Sequence, residues 1–268
     1  ARPAVVARLA RTLGPIMKRH LWGSSLSKTS CPAWTCSSCK KGMLRVRRDS
    51  LVFEESAQSR RWHGTDDWGP EQIEFVFGAW LDCLHEPCKQ SYAVAGVGGI
   101  EQQYDGSDEG TTEWVECFYP RSIVPTLEMI ELPTRCPPWI TSALRDAFSA
   151  YWALPEASAG RIRVALEGLL THLGVPDTET TSSGKNVGVP LHRRIELYAL
   201  ENPEVGSQLM ALKWLGNTGS HGRKVTKPDL IDAFELLEHA LVEVLEKRSE
   251  KMAALAKKLT ERHSPNGA

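Results

Sequence analysis

The sequence predicts an α+β protein: a small zinc-binding β module, ribbon-like in its cysteine spacing, followed by an all-α helical bundle. Three observations carry that expectation. Two cysteine pairs, Cys36-x-x-Cys39 and Cys83-x4-Cys88, sit among short apolar runs separated by turn-formers. Pro120, Pro125, Pro133, Pro137 and Pro138 then mark an extended connector in which helix is disfavoured. Beyond Trp139 the apolar residues recur at helical spacing. The organisation expected is a basic N-terminal helix and linker over 1–29, the β module and its connector over 30–138, and a helical domain over 139–268.

Residues 3–20 place Val5, Val6, Leu9, Leu13, Ile16 and Met17 at helical spacing among Arg and Lys, an amphipathic helix broken near Gly14 and Pro15. Ser and Thr residues over 24–30 form a linker. Strands are expected at 43–46, 51–54, 92–95 and 114–119, with 74–84 open between strand and helix and an exposed turn at 105–110. Helices follow at 140–153, 157–173, 191–200 and 205–215, the second stopped by Gly174 with Pro176 after it. Between them, 177–188 is polar and aperiodic, and is expected to be a mobile loop. The last helix has a defined start: Thr226 caps, Pro228 suits the first turn and Asp229 completes a capping box. Leu230, Phe234, Leu237, Leu241, Val244 and Leu245 form its apolar stripe, which Met252, Leu255 and Leu259 continue after an interruption at Arg248.

Closely spaced thiolates on two tight turns are what a tetrahedral metal requires. Ser37, Ser38, Lys40, Lys41 and Gly42 surround the first pair and Glu86 and Pro87 lie within the second, all turn-forming residue types. A structural Zn2+ held by Cys36, Cys39, Cys83 and Cys88 is the expected cofactor. Cys31 and His85 are the alternative ligands, and Cys117 and Cys136 are packing residues. Seven cysteines are an odd number, no hydrophobic signal segment opens the chain, and C-x-x-C pairs are typical of reduced compartments, so the expected setting is cytoplasmic rather than disulfide-forming. No apolar run is long enough to span a membrane.

Charge is unevenly distributed. Residues 1–50 hold eleven Lys or Arg against the single acid Asp49, residues 51–138 hold five against sixteen, and residues 139–268 hold sixteen of each. Lys40, Lys41, Arg45, Arg47 and Arg48 therefore form either a phosphate-binding face for RNA or DNA or the counterpart of the acidic section, within the chain or across a dimer. In the helical domain one polar break stands out, Gly216-Asn217-Thr218-Gly219-Ser220-His221-Gly222, flanked by Lys213, Arg223 and Lys224. A His in this setting serves as general acid or base, with Asn217 orienting it or holding a phosphate oxygen. Alternatively, Asn217 and His221 cap helix ends and Gly219 adopts a positive φ. Gly184-Lys185 lacks the preceding glycine of a phosphate loop, and no H-E-x-x-H occurs.

The ordered set Trp34, Cys36, Cys39 and Gly42, then Cys83 and Cys88, Tyr119-Pro120, Arg161-Ile162-Arg163 with Glu167, and Gly216-Asn217-x-x-x-His221 resembles a bacterial family, domain of unknown function 4145, over roughly residues 30–245. That family is linked to restriction and phage-defence systems, and its helical part is similar to the HEPN superfamily of dimerising bundles, many of them metal-independent ribonucleases. The resemblance implies a HEPN-like bundle, a homodimer, and a defence-system partner protein. It also places Asn217 and His221 at the polar and catalytic positions of the HEPN motif, with Gly216 where an Arg belongs. Lys213, Arg161 or Arg163 would then have to supply the charge, while Arg161 and Arg163 pair structurally with Glu167 or Glu196 in the alternative. The leading expectation is a non-catalytic dimer that binds nucleic acid or a partner protein. The second is an endoribonuclease using His221, Asn217 and Lys213.

Overall fold

The computed structural model describes residues 17–66, 68–104, 111–218 and 224–264. The N-terminal amphipathic helix as far as residue 16, the turn at 105–110 and the glycine loop carrying His221 lie outside the described residues. Two compact units are formed, one from Lys18–Glu128 with Phe148–Leu154, the other from Met129–Ala147 and the chain from Pro155 onward, with Met17.

The first unit is built on an antiparallel sheet of five strands: β1 (Leu44–Val46), β2 (Val52–Glu55), β3 (Glu74–Cys83), β4 (Ser91–Tyr104) and β5 (Thr112–Val124). Strands β1 and β2 lie end to end along one side of β3, and β4 and β5 follow on the other. The 74–84 segment is thus a strand. Its inward residues Phe75, Phe77, Ala79, Leu81 and Cys83 alternate with Glu74, Val76, Gly78, Trp80 and Asp82. Outward Val76 and Trp80 are themselves apolar, which masks the two-residue period in the sequence. A short helix, α1 (Ala57–Trp62), capped by Ser56, was not expected. Phe53, Phe75, Phe77 and Phe118 pack under the sheet, and Trp22, Trp34, Tyr151 and Trp152 form a second aromatic cluster. At the irregularity between Ala95 and Gly96, a Cβ on Gly96 would lie 2.7 Å from Phe77 and 2.9 Å from the Pro120 backbone, so only glycine fits.

The helical unit comprises α2 (Pro138–Ala150, of which the last turn belongs to the sheet unit), α3 (Pro155–His172), α4 (Leu191–Ala199), α5 (Pro203–Thr218), α6 (Lys227–Glu246) and α7 (Arg248–His263). Helix α5 packs against α3, α4 and α6. The expected mobile loop at 177–188 is instead a hairpin, β6 (Thr178–Thr180) paired with β7 (Asn186–Gly188), turning through Gly184 at φ +80°. Thr and Val favour the extended backbone there although all its side chains stay largely solvated. The capping box of α6 forms as expected, with Asp229 Oδ2 accepting from the Thr226 N–H at 2.8 Å. The interruption falls at Lys247, in the left-handed conformation, after which Met252, Leu255 and Leu259 on α7 remain half exposed. Among the described residues no helix is long and apolar enough to cross a membrane.

Glu238 is the buried carboxylate of this unit, accepting from the backbone N–H groups of Met17 at 3.0 Å and Glu131 at 2.8 Å. Burial outweighs those donors and pushes its pKa up from 4.5 to about 7. The folded chain therefore binds this proton more tightly than the unfolded one. The stabilisation is complete below about 4.5 and is lost as pH rises through about 7. The denaturation midpoint of the helical unit should carry a component that falls between pH 5 and 8, and Glu238→Gln should remove it.

Candidate metal centre and helical polar cluster

The two cysteine pairs arrive on knuckles at the same end of the sheet. Cys36 and Cys39 precede β1, in a turn closed by Cys36 N–H to the Gly42 carbonyl at 2.8 Å and Lys40 N–H to the Cys36 carbonyl at 2.9 Å. Cys83 ends β3 and Cys88 precedes β4, joined by a turn in which Cys88 N–H donates to the His85 carbonyl at 2.8 Å. Lys40 and Lys89 adopt positive φ, 57° and 48°, which lets the chain reverse immediately after each pair. Because Leu44 is in register with Cys83, the sheet itself brings the knuckles together.

All four sulfurs lie within 4.8 Å of one another. Cys36 and Cys88 Sγ are 3.8 Å apart, and Cys39 and Cys83 Sγ 3.7 Å. A tetrahedral ion with metal–sulfur bonds of about 2.3 Å requires sulfur separations of about 3.8 Å, so the residues fit the group. Three donors orient the sulfurs: Gly42 N–H to Cys39 and His85 N–H to Cys83, both at 3.4 Å, and the Tyr92 hydroxyl, 3.2 Å from Cys36. Tyr92 is fixed in turn by the Ser37 N–H at 3.0 Å. The Gly42 and Lys41 N–H groups pull the Cys39 thiol down to about 6, whereas burial pushes Cys83 up to about 12. A cation among the sulfurs would favour the ionised form of Cys83.

Neither alternative ligand joins this cluster. The Cys31 thiol donates to the Leu44 carbonyl at 3.4 Å and is pushed up to about 11 by burial. His85 contributes its backbone N–H, and its buried Nδ1 has no hydrogen-bond partner among the described residues. Cys117 is buried beside Gln103 Nε2 at 3.2 Å, a packing residue as expected. Tyr92 was missed, since a tyrosine in a strand gives no signal that its hydroxyl will reach a sulfur far away in sequence.

The basic residues beside the knuckle are in part taken up by acids of the same unit. Arg47 makes a bidentate pair with Asp82 at 2.7 and 2.8 Å and lies over the Trp80 ring, Lys40 pairs with Glu128, and Arg48 lies 3.4 Å from Asp49. Lys41 and Arg45 are exposed.

In the helical unit Arg163 on α3 donates from Nη1 to Asn217 Oδ1 at 2.5 Å and from Nε to Glu167 at 3.2 Å. Gly216 permits this approach: a Cβ there would stand 3.0 Å from Arg163 Cβ and 3.1 Å from the Ala159 carbonyl. Arg161 points instead to Asp146 at 3.8 Å, and Glu196 pairs with Arg193 and His192. Lys213 is buried with its Nζ 3.5 Å from the Trp214 ring centre. His221 lies outside the described residues. Arg194, which the sequence did not single out, is buried on α4 and ties it to the end of α3 through Thr171 Oγ1 at 2.8 Å and the Val175 carbonyl at 3.0 Å. Arg163, Glu167 and Arg194 line a cleft of about 370 Å³.

Residues 24–122 match the family model described as Domain of unknown function (DUF8608), and residues 145–262 match that described as Domain of unknown function (DUF4145). No curated protein and no solved structure matches the chain. The resemblance seen in the sequence therefore divides: the cysteine-bearing sheet has a family model of its own. Over residues 145–262, the helical part of the chain matches the DUF4145 family model.

Proposed function

We propose that this chain is a zinc-stabilised binding and assembly module that works as a homodimer on a protein partner in a bacterial defence or restriction-type system. The carrying observation is the set of four sulfurs at tetrahedral separation on two knuckles. An all-thiolate set of this kind suits zinc, and with every coordination position taken by protein the ion is structural rather than catalytic. A protein ligand is favoured over nucleic acid because Arg47 and Lys40 already have acidic partners within the unit. The defence setting and the dimer are what the resemblance read in the sequence implies; the family model over residues 145–262 is itself of unknown function. Metal analysis should give one zinc per chain, light scattering a dimer, and fluorescence anisotropy no saturable binding of RNA or DNA oligonucleotides at physiological salt. Iron in place of zinc would overturn the metal assignment. Salt-sensitive binding lost when Arg45, Arg47 and Arg48 are changed to Ala would transfer the ligand to nucleic acid.

A second reading, a metal-independent endoribonuclease, is favoured by one contact, Arg163 to Asn217. It sets a guanidinium beside the polar residue that precedes His221 by four positions, although a Cβ at position 216 itself would crowd Arg163 and Ala159. In this mechanism Arg163 holds the scissile phosphate and His221 moves the 2′-hydroxyl proton. It requires RNA cleavage in EDTA-treated buffer that falls by about 100-fold or more in His221→Ala and Arg163→Ala, with Arg161→Ala unaffected. Cleavage that persists in the first two variants sinks it.

A further inference from the structure

The outer face of the sheet is apolar at its centre and charged in opposite senses at its two ends. Val52 on β2, Val76, Gly78 and Trp80 on β3, Ala93, Ala95 and Val97 on β4, and Val124 on β5 all project to this side. Val52, Val76 and Val124 are each 58–67% exposed, and Trp80 45%. At one end stand Arg45 and Arg47 with Asp82, and at the other Glu54, Glu74 and Glu101. Strands about 4.8 Å apart and five residues of about 3.3 Å each give an apolar centre of roughly 300 Å² in projection, at the lower end of the exposed patches that mark interaction sites, and the charged ends extend it.

We infer that this face is the surface on which a second copy of the chain docks, sheet against sheet. The segregated charge selects that occupant. A two-fold axis lying between the sheets and running across the strands reverses strand direction in the second copy. It lays the basic end of each copy on the acidic end of the other. The lateral positions agree as well. Arg45 is in register with Asp82, Glu54 is in register with Val76, and β1 and β2 lie on the same side of β3. Reversal along the strands therefore sets Arg45 of one copy over Glu54 of the second, and the same pair forms twice. The low centre at Gly78, Ala93 and Ala95 leaves room for the valines and Trp80 around it, as in aligned sheet packing at about 10 Å. An external partner of uniform charge would match only one end of the face.

The inference rests on the reading of the chain as a homodimer, and it names the surface. Its test is sedimentation equilibrium on the full zinc-loaded chain, with circular dichroism and zinc content as fold checks. Val76→Lys combined with Val97→Lys should shift the chain to monomer, and Val124→Lys, on a different strand, should weaken association independently. Arg45→Glu and Glu54→Arg should each raise the dissociation constant about tenfold or more at low salt, and the double variant should recover most of the loss. Folded lysine variants that dimerise like the parent, or a charge-swapped pair that fails to recover, overturn this surface while leaving dimerisation through the helical unit standing. A monomeric parent removes both.

Discussion

Removing the metal is expected to unfold the sheet unit and leave the helical unit folded. The knuckles close the end of the sheet at which β1, β3 and β4 are joined, and Leu44 is paired directly with Cys83 of the cluster. Binding at a structural thiolate site contributes on the order of 10–16 kcal/mol, comparable with or larger than the whole stability of a domain of this size. The aromatic core under the sheet adds to the unit's stability, but strand β1 has only three residues and β2 four. Cys36→Ser tests the point without chelators. Its sulfur is fully buried, and a serine hydroxyl remains protonated where a thiolate is required. The variant should lose zinc and its sheet signal in circular dichroism, with the melting of this unit lowered by about 20 °C or more. The helical signal should persist in a separate transition. A chelated chain with an unchanged sheet spectrum would show that the aromatic core alone holds the unit.

The cluster of Cys36, Cys39, Cys83 and Cys88 was legible in the sequence because the pattern that marks it is local twice over: each pair lies on one turn, with turn residues around it. The helices from α2 onward were legible for a similar reason, as an apolar stripe and a capping box are repeated within a few residues. What could not be read depends on partners far along the chain. Strand β3 looked ambiguous because its outer residues Val76 and Trp80 are apolar, and only the fold shows that those side chains face outward. Strands β4 and β5 run far longer than their apolar centres suggested, since ladder hydrogen bonds continue into polar residues such as Gln102 and Glu113. The 177–188 hairpin is held by strand pairing and by side-chain hydrogen bonds such as Thr180 to Asn186, with no buried face to leave a period.

Gly216 shows how packing changes the meaning of a motif. In sequence it is a missing Arg. In the structure it is a contact point of α5 on α3, where a Cβ would crowd Arg163 and the Ala159 carbonyl at 3.0–3.1 Å and its neighbours would have to shift by a few tenths of an ångström. Across the helix pair, Arg163 donates a hydrogen bond to Asn217. A nearest-neighbour search along the chain favours Lys213, but helical geometry turns that residue into a buried position against Trp214. Position in the fold, not distance in sequence, decides which cation accompanies Asn217.

Gly42→Ala is expected to cost the chain its metal although every ligand remains. Gly42 lies between the knuckles: its N–H orients the Cys39 sulfur, and its carbonyl accepts from Cys36. A Cβ at this position would fall on the Cys83 sulfur, 2.8 Å from His85 Cβ and 2.9 Å from the His85 nitrogen. Two of those three atoms belong to, or directly orient, a metal ligand, and neither is the free end of a flexible side chain. The backbone torsion is not the difficulty, since Gly42 is absent from the positive-φ positions among the described residues. The harm is steric, and the second knuckle has to move away from the first. Loss of one orienting contact around a metal typically lowers affinity by about 10–100-fold, and a displaced ligand places this variant at the upper end. Competition against a chromophoric chelator should therefore show zinc affinity reduced by about 100-fold. Gly23→Ala is the control, because a Cβ there meets nothing within 4 Å, and it should bind zinc as the parent does. Parental affinity in Gly42→Ala would mean that the two knuckles do not converge as closely as the four sulfurs indicate.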